Sequence, residues 1–136
     1  MKPVEKRIKS LWAISRAIEG LEEHIERLTA KAIMPTHENG NMEMNAVGRL
    51  NLIARLSKDK DRLCMELAYL DECINLVEDP LTREILRTRF IHNKSRRETA
   101  KTFSYSEERI KQLTSEGIRE INSRVKGKKI TRNYPS

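Results

Sequence analysis

Glycine, proline and aromatic residues are scarce in this chain of 136 residues. It holds five Gly, four Pro, two Phe, three Tyr and one Trp. Sandwiches and barrels need frequent turns and strands rich in β-branched or aromatic residues, so this shortage excludes them. Cysteine is also sparse. Cys64 and Cys73 make no disulfide framework and suit small core residues in a reducing compartment. They stand nine apart with no matching histidine spacing, and His24, His37 and His92 are isolated, so no metal site is expected. No apolar run approaches the roughly 18–20 residues of a membrane span. The segment Met1-Lys2-Pro3-Val4-Glu5 carries no apolar signal core. A cytoplasmic location without a membrane partner is the expectation. Glu22, Glu23 and Glu26 have no nucleophile or base nearby, and no catalytic constellation is visible. Neither an enzyme nor a cofactor is expected.

What the chain has in abundance is charge, at 35% of residues with a net +7. The sign is unevenly spread. Residues 1–79 hold 12 Lys/Arg against 14 Asp/Glu, a net −2, while residues 80–136 hold 15 against 6, a net +9. A basic half joined to a near-neutral half is the pattern of a polyanion-binding module carried by a scaffold. The break falls at Glu78-Asp79-Pro80, where Pro80 biases Asp79 away from the α region. This spacing divides the chain into a scaffold or oligomerisation unit at 1–79, a binding unit at 80–125 and a basic, flexible tail at 126–136.

Helix formers and helical periodicity predict an all-α fold. Leu11, Ile14, Ile18, Leu21, Ile25, Leu28 and Ala32 recur at alternating spacings of three and four, a heptad seam on one helix from about Val4 to Ile33. Gly20 lies off that seam. Met34-Pro35 stops the helix, and the polar stretch 36–45 reads as a loop. A second helix from about Ala46 to Val77 carries Ile53, Leu56, Lys60, Leu63, Leu67, Leu70, Ile74 and Val77 on its seam, with Lys60 as the one polar position. Neither helix can bury its seam alone. The short connection allows a long antiparallel, coiled-coil-like hairpin, and the seams can equally build a homodimer.

Three shorter helices follow Pro80. The first, from Leu81 to about Ile91, places Leu81, Ile85, Leu86 and Phe90 on one face. Ser95-Arg96-Arg97-Glu98 is a capping box that opens a helix to about Thr102. Phe103-Ser104-Tyr105 is a tight turn, and Ser106 caps a helix to about Arg124 with Ile110, Leu113, Gly117 or Ile118, and Ile121 inward. From Val125 the chain is basic and polar. The last two helices with their turn are a helix-turn-helix candidate. Ala100 is the small residue that lets the helices approach, and Tyr105 or Phe103 is the apolar residue of the turn. Glu107, Glu108, Arg109, Lys111, Gln112 and Ser115 are polar side chains near the start of the second helix.

Residues 83–121 resemble region 4 of bacterial sigma-70 factors. Arg83–Phe90 (R-E-I-L-R-T-R-F) is similar to that region's leading helix, and Ser95–Leu113 to its helix-turn-helix, with E-R-I-K-Q-L the most specific part. The resemblance implies that the helix from Ser106 enters the major groove of duplex DNA. Glu108, Lys111 and Gln112 stand where the family reads base edges, and Arg109 stands at an arginine that supports the helix or contacts phosphate. Two positions depart from the family: Glu107 replaces a basic residue and Thr99 a larger apolar one. No segment resembles the region that opens DNA, so a complete sigma factor is not implied. The overall arrangement is similar to small phage and prophage proteins of Gram-positive bacteria, the ArpU/RinA group of late-gene transcription regulators.

Residue chemistry supports the same roles. Lysine bonds guanine O6/N7, glutamine pairs with adenine N6/N7, and a carboxylate accepts from cytosine N4. Glu108, Lys111, Gln112 and Ser115 are therefore the expected base readers. Lys94, Arg96, Arg97, Lys101, Arg109, Arg119, Lys128 and Lys129 are the expected contacts to the DNA backbone. The expected function is a sequence-specific transcription regulator in a bacterial host cell, on the nucleoid when bound. Two alternatives remain. One is a protein-interaction module for RNA polymerase or another protein. The other is a DNA-packaging recognition subunit.

Overall fold

A computed structural model of the chain describes residues 3–33 and 45–127. Among them are six helices and no strand: α1 (Val4–Lys9), α2 (Leu11–Ile33), α3 (Ala46–Asn75), α4 (Pro80–Phe90), α5 (Arg96–Phe103) and α6 (Glu107–Gly127). The all-α expectation holds, with a long helical hairpin preceding a helix-turn-helix unit. The expected stop at Met34-Pro35, the loop, His37 and the tail beyond Gly127 (Lys128 and Lys129 included) lie outside the described residues.

The hairpin is α2 against α3. Arg49 reaches the Lys31 carbonyl, Lys60 Nζ lies 3.9 Å from Glu22 Oε2, and Arg7 bonds Glu66. Partners climb on one helix as they descend on the other, so the pairing is antiparallel. Lys60 therefore spends its seam position on a cross-helix ion pair. Asn45 starts α3 by accepting from Gly48 N–H at 2.7 Å, which satisfies one free donor of the first turn. Along the middle of the hairpin Leu21, Ile25, Leu28, Ile53, Leu56 and Leu63 are only half-buried. Two helices share one line of contact, and among the described residues no third element covers that stripe.

The single N-terminal helix expected from the seam is broken at Ser10. Its hydroxyl donates to the Lys6 carbonyl at 2.9 Å, and its amide donates to the Arg7 carbonyl at 3.0 Å. A serine that bonds back into its own helix bends it, and the three-residue bond tightens the last turn. The bend lays α1 across the base of the hairpin, where Val4 and Ile8 are buried. Arg7 then forms a bidentate pair with Glu66, Nε to Oε2 at 2.7 Å, and its guanidinium lies 4.8 Å from the Tyr69 ring centre.

The main core sits at this base. Ile8 and Leu11 meet Leu70, Cys73 and Ile74 of α3, Leu86 and Phe90 of α4, and Ile118 and Ile121 of α6. Residues from both sides of Asp79-Pro80 thus share one apolar cluster. The joint is a capped helix start: Asp79 is extended (φ −77, ψ 117), its Oδ2 accepts from Thr82 N–H at 3.2 Å, and Pro80 occupies the first turn. A second cluster joins Ile85, Ala100, Ile110 and Leu113, with Phe103 packed against it.

Three local expectations change. Leu81 is exposed, and Thr82 takes its place inside, because the face of α4 toward α6 runs Thr82, Ile85, Leu86 and leaves Leu81 a third of a turn away. The Thr82 hydroxyl is satisfied by Asp79 Oδ2 at 2.7 Å. Helix α6 continues past Arg124 to Gly127, because Val125 extends the Ile118–Ile121 face onto the core and Arg124 bonds Glu120 at 3.0 Å. Val77, expected as the last seam residue of the second helix, is buried in the turn that follows α3.

Two glycines separate propensity from packing. A Cβ on Gly117 would lie 3.0 Å from Leu86 Cδ1 and 3.0 Å from Thr82 Cγ2, whereas one on Gly20 meets nothing within 4 Å. Gly20→Ala is expected to raise stability by roughly 0.5–1 kcal/mol through helix propensity. Gly117→Val is expected to lower it by about 1–3 kcal/mol through overpacking. Urea unfolding midpoints check both, and equal shifts would contradict the α4–α6 contact.

Candidate nucleic-acid interface

Helix α5 begins where the capping box is expected. Ser95 Oγ accepts from Glu98 N–H at 3.0 Å, and Glu98 Oε1 accepts from Ser95 N–H at 3.0 Å. The donation from the Ser95 backbone, helped by its hydroxyl, holds the Glu98 carboxyl below its ordinary 4.5. Thr99 is fully buried, and its hydroxyl donates to the Ser95 carbonyl at 2.8 Å. Its polar atom is satisfied within its own helix, so threonine can fill a position that otherwise takes an apolar side chain.

The turn is a left-handed cap. Ser104 has φ 58 and ψ 40, its N–H donates to the Lys101 carbonyl at 3.3 Å, and Tyr105 N–H donates to the Ala100 carbonyl at 2.9 Å. This bond pair closes α5 in a Schellman motif. Phe103 is the apolar residue that packs inward; Tyr105 is exposed. Ala100 lies in the cluster with Ile110 and Leu113, where its small side chain lets α6 cross close to α5.

Ser106 starts α6, with its Oγ accepting from Arg109 N–H at 3.1 Å. Glu107 and Glu108 occupy the first turn, where negative charge suits the helix dipole. Ile110, Leu113, Gly117 and Ile121 are buried on one side. Glu108, Lys111, Gln112 and Ser115 recur at helical spacing on the other side, and all four are exposed. Gln112 is held along the helix: its Oε1 accepts from Arg109 Nη1 at 3.1 Å, and its Nε2 donates to Glu116 Oε1 at 3.3 Å. Arg109 therefore supports the glutamine.

Most described cations of the basic half fall into two sets. Arg83 donates to the Val77 carbonyl, Arg87 reaches Asp71, Glu84 and Asn75, and Arg124 reaches Glu120 and Glu78. These charges are bound into the scaffold. Lys94, Arg96, Arg97, Lys101, Lys111 and Arg119 are exposed and have no carboxylate at ion-pair distance among the described residues. They are left to meet an outside anion.

Arg89 belongs to neither set, and nothing in the sequence pattern marks it out. Its Nη1 donates to the Lys94 carbonyl at 2.8 Å, and its guanidinium lies 5.5 Å from the Phe90 ring centre. Its Nε is shut from solvent and finds no hydrogen-bond partner among the described residues. Burial, reinforced by the Arg96 charge, pushes its pKa down from the ordinary value. Cys64 is exposed and Cys73 buried, and no described cluster of three His, Cys, Asp or Glu could hold a metal ion. No helix among the described residues is long and apolar enough to cross a membrane.

Residues 79–122 match the family described as Sigma-70, region 4, a DNA-binding helix-turn-helix domain. The matched stretch spans α4, α5 and most of α6. No curated protein and no solved structure matches the chain.

The caps yield two expectations. Ser104→Gly relieves a left-handed serine and is expected to raise stability by roughly 0.5–1 kcal/mol, read from the thermal midpoint. The depressed Glu98 carboxyl contributes stability that is complete above 4.5 and is lost as pH falls through its lower folded value. Glu98→Gln keeps the box without the charge, so unfolding midpoints should show a shallower acid loss than in the parent protein.

Proposed function

We propose that the chain is a sequence-specific duplex-DNA-binding transcription regulator of phage or prophage type, reading the major groove with α6 from Ser106. The observation that carries this reading is the exposed Glu108, Lys111, Gln112 and Ser115 face, set opposite the buried side of α6 and flanked by unpaired cations. Lys111 is suited to guanine, Gln112 to adenine and Glu108 to cytosine. Lys94, Arg96, Arg97, Lys101 and Arg119 fix the register through phosphates, Arg109 contributes through Gln112, and Lys128 and Lys129 add charge after α6. Transcription control places the protein on the nucleoid of a bacterial host cell.

One helix-turn-helix reads a few base pairs, so useful specificity calls for a second copy or a partner. The half-buried stripe of the hairpin supports pairing of two copies through α2 and α3. RNA polymerase is the alternative partner, engaged through the matched region.

Selection from a random duplex pool, followed by titration of the enriched site, tests the reading. Lys111→Ala and Gln112→Ala are each expected to lose about 1–3 kcal/mol on the selected site and little on random duplex. Arg97→Ala should weaken both duplexes alike and reduce the salt slope by about one. Equal losses on both duplexes for the α6 variants would remove base readout. Capture of polymerase without discrimination between duplexes would favour the alternative.

A further inference from the structure

A cleft of about 730 Å³ runs between the α1–α2 junction and the outer flank of α6. Lys9 and Trp12 form one wall, Lys111 and Arg119 the other, with Arg89 and Arg96 between them. These residues come from opposite ends of the chain. Five of the six are cationic, and the one carboxylate on the lining, Glu5, already sits 3.2 Å from Lys9 Nζ. Gathering like charges around one space is unfavourable unless an anion occupies it. Arg89 adds its charge to the same lining. Its neighbour Asn93 adopts φ 54, a left-handed conformation at the edge of the same lining.

We propose that this cleft seats a backbone phosphate of the duplex read by α6, which makes the α1–α2 junction a second wall of the DNA site. The inference rests on α6 as the DNA-reading helix. It goes beyond that reading by adding Lys9, Trp12 and Arg89, none of which belongs to the helix-turn-helix. Continuity supports a phosphodiester over a free anion. Lys111 and Ser115 lie both on the reading face and on the cleft lining, so a duplex on that face brings its strand to the same residues. Lys9 is well exposed and among the described residues pairs with Glu5 alone, so it can turn to a phosphate with no loss to the core. Trp12, 39% exposed with the Arg16 guanidinium 5.6 Å from its ring centre, offers the free part of its ring to the sugar.

Trp12 is the only tryptophan, so its emission reports on the cleft in the intact chain. Titration with the selected duplex is expected to change that emission, saturating together with binding. Lys9→Ala should reduce the slope of log affinity against log salt by about one and weaken binding several-fold. Lys9→Arg should restore both, while Lys58→Ala, exposed on α3 outside the cleft, should change neither. An unchanged slope for Lys9→Ala, with Lys111→Ala still weakening the selected duplex, would overturn the inference and leave the α6 reading standing. Absence of duplex binding by the parent protein would remove both. Emission that responds to inorganic phosphate but not to duplex would also overturn it, marking a free-anion site.

Discussion

The close approach of α4 to α6 at Gly117 is the contact on which the rest of the molecule depends. Thr82 and Leu86 lie where a side chain at residue 117 would otherwise sit. With the helices that close, Ile85 can reach Ile110 and Leu113 on one side, and Leu86 can reach Ile118 and Ile121 on the other. Both apolar clusters therefore hang on the same crossing. Helix α6 is gripped on one side from Ile110 to Ile121, and its opposite side, from Glu108 to Ser115, faces outward. Packing on one side fixes the direction in which the exposed side chains point.

Charge follows the same division. The net +9 of residues 80–136 is not one patch. Arg83, Arg87 and Arg124 are spent on carbonyls and carboxylates that tie α4 and α6 to the end of α3 and the turn after it. Exposed pairs of this kind contribute little energy singly. Their effect is to fix orientation and to leave a smaller set of cations unpaired among the described residues. The unpaired set lies on α5, just before it, and on the exposed side of α6.

The hairpin is less self-sufficient than its seams suggest. Its best-buried residues, Leu70, Cys73 and Ile74, lie at the end nearest α4 and α6, where α1 folds over them. Toward the far end, Val47 and Leu50 are exposed. Apolar burial is concentrated where five helices meet and thins where only two do, in keeping with the area that each arrangement removes from water. The Ser10 bend and the Arg7–Glu66 pair matter here, since they turn α1 from a continuation of α2 into a cover for the core and bring Lys9 and Trp12 beside α6.

By itself the sequence determined what local rules control. Heptad spacing set α2 and α3, Asp79-Pro80 and Ser95-x-x-Glu98 set two helix starts, and the polar positions from Glu108 to Ser115 set an outward face on α6. Each depends on residues three or four apart, a distance at which pattern and contact are the same thing. Tertiary structure decided the rest. It chose Thr82 over Leu81 and Phe103 over Tyr105 for the interior, and separated the arginines that bind the scaffold from those left free. It also brought Lys9 to Lys111. Those outcomes turn on which faces of separate helices meet, and a periodic pattern has no means of naming its partner on another helix.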